Sequence, residues 1–249
     1  YYTEYNSIIF KGGQKDDINT VNIDVDAGNQ RIGAIIETAS DAAPQSKNTI
    51  SGTIKSEMSA FFNLYAQYYS NRQIEWDVDV NTVAEKNGES AGSNVYIITE
   101  KSSEIKLATT ADGGSDIYLN AGNSSGDLTV TAKAVSTGNR SNDYARVQIW
   151  SGSGDDNINA SISANGLTLT NQETKVIVLA GAGDDTITGG ASNDNLQGED
   201  GNDNIKGLAG NDTIDGGKGS DLLEGGSGND TIIGGSRDTQ ETDTVIYSG

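Results

Sequence analysis

Short runs in which apolar and polar residues alternate recur along most of this chain. Val21, Ile23 and Val25 alternate with Asn22, Asp24 and Asp26, and Ser7 to Phe10 is a compact apolar run, so both predict strands. Val78 and Val80 alternate with Asp77 and Asp79, Asn87-Gly88 predicts a hairpin turn, and Val95 to Ile98 begins a further strand. The segment from Ala39 to Asn48 contains the only proline, Pro44, and reads as a loop. One stretch has a different period. From Ser56 onward, Met58, Phe61, Phe62, Tyr65, Tyr68 and Tyr69 recur at three- and four-residue steps, which predicts an amphipathic helix near 56–70 with Ser56 as its N-cap. Its aromatic face would cover an open sheet edge, or, with Trp76, offer a partner- or sugar-binding surface.

Later segments share a plan of apolar strand, small residue and glycine. It begins at Ile117, Val147 and Ile177, and its glycines Gly122, Gly152 and Gly181 recur at a period near 30, which predicts large, irregular coils. Asn165-Gly166 would turn the intervening chain back on itself. From Ala180 to Gly235 the period tightens to nine: AGAGDDTIT, GGASNDNLQ, GEDGNDNIK, GLAGNDTID, GGKGSDLLE and GGSGNDTII. The sixth place is always aspartate, Asp185, Asp194, Asp203, Asp212, Asp221 and Asp230, and the eighth is always Ile or Leu.

That spacing carries chemistry. Glycines such as Gly181, Gly183, Gly190, Gly201, Gly210, Gly219 and Gly228 permit tight turns, and three residues such as Thr186-Ile187-Thr188 form a strand with its aliphatic facing inward. Two blocks make one coil, so coils stack at about 4.8 Å. The aspartates then form two columns, Asp185, Asp203 and Asp221 on one side and Asp194, Asp212 and Asp230 on the other. Carboxylates that close repel by roughly 1 kcal/mol in water and more when desolvated, so a cation is expected between them. Hard oxygen donors in flexible turns favour Ca²⁺ over Mg²⁺. The segment Ser151-Gly152-Ser153-Gly154-Asp155-Asp156-Asn157-Ile158-Asn159 fits the same pattern except at its first place, which makes Asp156 a seventh candidate ligand one coil earlier. Gly12 to Ile18 echoes the pattern out of phase and reads as a turn. Ser192 replaces a fourth-place glycine, Glu199 and Leu208 replace second-place glycines, and the period fails at Arg237, before a closing strand at Asp243 to Tyr247.

Charge narrows the partners. Thirty-six acidic residues against sixteen basic ones give a net charge of -20, which disfavours nucleic acid and anionic membrane as partners. Without cysteine or histidine there is no disulfide, catalytic thiol, imidazole base or His-ligated zinc. No apolar run is long enough to span a membrane. The chain opens on Tyr1 without a secretory signal and reads as a segment of something longer.

The block from Ala180 to Gly235 resembles the RTX, or hemolysin-type, calcium-binding repeat GGxGxDxUx. The resemblance implies an all-β fold, a right-handed parallel β-roll or β-solenoid with stacked calcium turns, here preceded by an irregular β-rich region carrying one helix. The expected regions are 1–112, β-rich with the helix; 113–179, larger coils; and 180–249, the calcium-binding roll. It also implies several bound calcium ions, type I export, a secreted or cell-surface location, and a non-enzymatic structural role in a large adhesin, surface-layer protein or toxin. Neighbouring domains and a cell-surface carbohydrate or protein ligand would be further partners. The alternatives are a carbohydrate-binding module and a calcium-dependent polysaccharide lyase or epimerase, with Arg140, Arg146, Tyr144 and Tyr118 as acid-base candidates.

Overall fold

The computed structural model describes residues 6–12, 20–28, 32–39, 47–56, 59–67, 75–84, 92–98, 102–122, 126–138, 143–164, 175–235 and 242–247. In chain order the strands are β1 (Asn6–Gly12), β2 (Thr20–Asp26), β3 (Ile32–Ala39), β4 (Lys47–Ser56), β5 (Ser59–Gln67), β6 (Glu75–Ala84), β7 (Gly92–Ile98), β8 (Ser102–Ala111), β9 (Gly114–Asn120) and β10 (Thr129–Ser136). They continue as β11 (Tyr144–Ser153), β12 (Asn157–Ala164), β13 (Lys175–Ala182), β14 (Thr186–Thr188), β15 (Asn195–Asp200), β16 (Asn204–Ala209), β17 (Thr213–Lys218), β18 (Leu222–Ser227), β19 (Thr231–Gly235) and β20 (Thr244–Ile246).

Odd strands build one ten-stranded sheet and even strands another, and every pairing is parallel. Each coil therefore contributes one strand to each sheet, as a parallel β-solenoid requires. Inward positions are aliphatic because the two sheets face each other: β9 and β13 alternate part-exposed and fully buried residues along their length. Ile105, Ile117, Ile149 and Val178 belong to one continuous core that runs on through Ile187, Leu196, Ile205, Ile214 and Leu223. Hydroxyls occupy inward corners in pairs, Thr82 with Ser93 at 2.7 Å and Thr109 with Ser115 at 2.6 Å, so these buried polar groups are satisfied.

Coil length varies in the first part of the chain and settles at 18 residues in the repeat. Arg146 pairs with Asp116 thirty residues away, Asp156 with Asp185 at 29, and Asp185 with Asp203 at 18. Gly152 lies opposite Gly181, and Asn120 opposite Trp150, as the 30-residue plan implies.

Three expectations change. The described residues of the stretch expected to be a helix near 56–70 form no helix: Ser56, its expected N-cap, ends β4, and residues 59–67 are β5, a strand in the sheet of odd strands. Ala60, Phe62 and Leu64 are fully buried while Phe61 and Asn63 face outward, a period of two that the aromatic spacing overlies. The Phe61 ring lies over Gly33 of the neighbouring coil, 2.0 Å from where a Cβ would stand, so an outward aromatic covers a bare glycine rather than forming a helix face. Secondly, Asn87-Gly88 lies outside the described residues, and the strands on either side of it do not pair with each other: β6 pairs with β8 and β7 with β9, all parallel. Thirdly, Ala39, Lys47 and Asn48 lie in strands rather than in the loop. Pro44, Met58, Tyr68, Tyr69, Arg140, Asn165-Gly166 and the turn at Asp16 and Asp17 fall outside the described residues.

Candidate metal centre

The turns of the solenoid place the aspartates in register. Asp156, Asp185, Asp203 and Asp221 stack on one side, and Asp194, Asp212 and Asp230 on the other. Within each column one carboxylate oxygen has a fixed job. Oδ1 of Asp185 accepts the backbone N–H of Asp156 at 2.7 Å, Oδ1 of Asp203 that of Asp185 at 2.8 Å, and Oδ1 of Asp221 that of Asp203 at 2.9 Å. The other column repeats this, with Asp212 accepting from Asp194 at 2.8 Å and Asp230 from Asp212 at 3.0 Å. The expectation that only a cation separates stacked carboxylates is thereby revised: a peptide N–H lies between rungs, and it serves only one oxygen of each pair.

The second oxygen is left over. Oδ2 of Asp156, Asp185, Asp203 and Asp212 is buried without a hydrogen-bond donor, although these residues are at most 2% exposed. A buried carboxylate oxygen with no partner is costly unless protonated or bound to a cation. Burial, the largest cause, accordingly pushes the carboxyls of Asp185 and Asp203 up to about 7 and those of Asp156 and Asp212 up to about 6. Neighbouring aspartates of the column raise Asp185, Asp203 and Asp212 further.

Glycine relieves a close approach at two kinds of place in these turns, although Ala180 holds the first place before Asp185 and Ser192 the fourth before Asp194. At Gly198 a Cβ would stand 2.0 Å from Oδ2 of Asp203 and 2.6 Å from the Gly216 carbonyl oxygen, so the first place is the space into which the carboxylate points. At Gly201, with φ of 147°, a Cβ would meet the Gly183 carbonyl oxygen at 1.8 Å, because fourth-place carbonyls aim along the column at the next coil. Of the remaining predicted glycines, Gly181, Gly183, Gly210, Gly219 and Gly228 also have positive φ, but Gly190 does not.

Gly190 belongs to the turn that differs. Its N–H donates to Oδ2 of Asp194 at 2.8 Å, the Ser192 hydroxyl donates to Oδ1, and the Val176 N–H approaches Oδ1 at 3.4 Å. Asp194 is thus served on both oxygens, while burial still pushes its carboxyl up to about 7. Ser192 does not adopt positive φ; Glu199 and Leu208 do, at 80° and 79°, as expected of residues in second-place glycine positions.

Two features escaped the sequence reading. The fifth place, always Asp, Asn or Ser, builds an exposed column of its own: the Asp184 N–H donates to Asp155, the Asn202 N–H to Asp184 and the Ser220 N–H to Asn202, while Asn211 and Asn229 do the same on the other side. The uniformity of Asp184, Asn193, Asn202, Asn211, Ser220 and Asn229 was the available signal. The second is Asp243, whose Oδ1 accepts the Asp221 N–H at 3.2 Å, a rung regained after the period fails. Its D-x-V spacing, Asp243 to Val245, matches the repeat.

Of the acid-base candidates, Arg146, Tyr144 and Tyr118 lie elsewhere, on the outer face of the odd sheet. Arg146 pairs with Asp116 and sits 5.5 Å from the centre of the Tyr144 ring, and Tyr118 stacks on Tyr96 at 4.5 Å.

The residues present fit a hard cation: unpartnered carboxylate oxygens beside turn carbonyls, with no nitrogen or sulfur ligand in reach. Among the described residues no three acidic side chains converge, so such an ion would take its remaining oxygens from the turn backbone. Fold and turns together define a parallel β-solenoid whose turns present oxygen donors suited to a cation. The family model of the RTX calcium-binding nonapeptide repeat, four copies long, matches residues 177–205 and again 206–236, so this part of the chain consists of RTX repeats, which bind several calcium ions per stretch. No curated protein and no solved structure matches the chain.

Proposed function

We propose that this chain is a calcium-dependent folding and structural module of an exported protein, stabilising or displaying neighbouring domains in surface adhesion or assembly. RTX repeats support the calcium-binding structural role, and proteins that carry them are typically exported. The observation that carries the reading is the row of buried, donorless Oδ2 atoms at Asp185, Asp203 and Asp212. In a calcium-poor compartment these oxygens oppose coil formation; where calcium is abundant, an ion that binds only the stacked coils draws the equilibrium toward them. The proposed ligands are Asp185, Asp203, Asp212, Asp221 and Asp230 with the turn carbonyls, and Asp194 contributes the weakest site because donors already occupy both of its oxygens. Among the described residues no helix is long and apolar enough to cross a membrane.

Circular dichroism during calcium titration of metal-free protein, with magnesium as control, tests this. β-sheet signal should grow with calcium and not with magnesium. Equal sheet content in metal-free buffer and in calcium would refute the proposal.

A further inference from the structure

The matched repeats begin at residue 177, yet the turn before them has the same construction. Gly152 and Gly154 have φ of 113° and 128°, close to 117° and 131° at Gly181 and Gly183 one coil later. Gly152 and Ser153 lie in register with Gly181 and Ala182. The Gly154 N–H donates to the Ala182 carbonyl at 2.7 Å, as the Gly183 N–H donates to that of Asp200 at 2.8 Å. The Asp156 N–H donates to Asp185 as the Asp185 N–H does to Asp203. Two things differ: the chain between the turns is 29 residues instead of 18, and Ser151 stands at the first place, beside the Asp156 carboxyl, with its hydroxyl donating to the Ala180 carbonyl at 2.8 Å.

Construction alone would make only a turn. The independent observation is that Asp156 is 2% exposed and its Oδ2, like that of Asp185 above it, has no hydrogen-bond donor. Two buried anionic oxygens on adjacent rungs, in a turn with carbonyls aimed along the column, form an oxygen-only site for a divalent cation. The column ends there: one coil earlier Leu128 stands at the equivalent place, its N–H donating to Oδ1 of Asp156 at 2.8 Å, and it brings no carboxylate.

We propose that a calcium ion binds between the turns at Gly152–Asp156 and Gly181–Asp185, one coil beyond the start of the recognised repeat. This ion joins the last 29-residue coil to the first 18-residue one. Through β12, which pairs with β10 on one side and β14 on the other, it makes the larger coils calcium-responsive. The inference rests on the calcium reading of the repeat itself.

Two measurements on the full chain test it. Equilibrium dialysis with calcium should show D156N binding one ion fewer than wild type, with circular dichroism confirming that the saturated variant is folded. Amide hydrogen exchange on wild-type protein needs no variant: calcium should slow exchange at Leu128, Gly154 and Asn157 by at least about tenfold, together with Asn204 and Leu222 in the repeat. Calcium-slowed exchange in the repeat alone, or an unchanged ion count in D156N, would overturn the inference and leave the repeat reading intact. No response to calcium at any of these amides would overturn both.

Discussion

Removing the metal should invert the usual dependence of stability on pH. An aspartate in the unfolded chain titrates at 3.8, whereas burial holds Asp185 and Asp203 to about 7 and Asp156 and Asp212 to about 6 in the metal-free fold. Between those limits the folded state binds more protons than the unfolded one, so stability falls as pH rises. The contribution is complete below about 4 and is lost by about 7. For one carboxylate the difference is worth about 3 to 4 kcal/mol, against a total stability of about 5 to 15 kcal/mol for a typical protein. With a urea slope of about 2 to 3 kcal/mol per molar, a single such group moves the midpoint by more than about 1 M. Calcium reverses the sign, because the bound ion needs the ionised carboxylates and protons compete with it. The assay is urea unfolding followed by circular dichroism at about pH 4.5 and about pH 7.5, in metal-free buffer and in saturating calcium. The metal-free midpoint should be higher in acid and the calcium-loaded midpoint higher near neutrality. A metal-free midpoint that rises with pH across this window would refute the reasoning.

Other substitutions test individual parts. Gly198→Ala places a Cβ 2.0 Å from Oδ2 of Asp203 and should cost about 1 to 3 kcal/mol in calcium, read from the urea midpoint. Glu199→Gly and Leu208→Gly relieve φ of 80° and 79° and should each stabilise by about 1 kcal/mol in the same assay. Asp203→Asn should raise the calcium midpoint of folding several-fold, and Asp194→Asn distinctly less, because Gly190 and Ser192 already donate to Asp194; equal shifts in a calcium titration would contradict the difference drawn between these turns.

The repeat was legible because each physical requirement recurs at one spacing: an inward aliphatic at Ile205 and Ile214, a turn carboxylate at Asp203 and Asp212, and glycine where a Cβ would strike a carbonyl. Positive φ at Glu199 and Leu208 followed from the same logic. The larger coils were harder to read. Phe61, Phe62 and Tyr65 fall at helical steps in the sequence although Phe61 and Phe62 face opposite sides of a strand, and sequence alone does not reveal that Phe61 packs over Gly33 of another coil. Asn87-Gly88 suggested a hairpin because local turn chemistry says nothing of the parallel partner that β6 finds in β8. The N–H between carboxylate rungs was hidden for a related reason, since it joins residues 18 or 29 apart through backbone atoms that every residue has.

The central claim concerns one atom per rung, and crystals grown in calcium address it directly by anomalous scattering. Strong peaks should lie against Oδ2 of Asp203 and Asp212, the oxygens that no protein donor reaches. Well-ordered coils whose Oδ2 atoms face only water or protein, with no calcium peak along either column, would contradict the account.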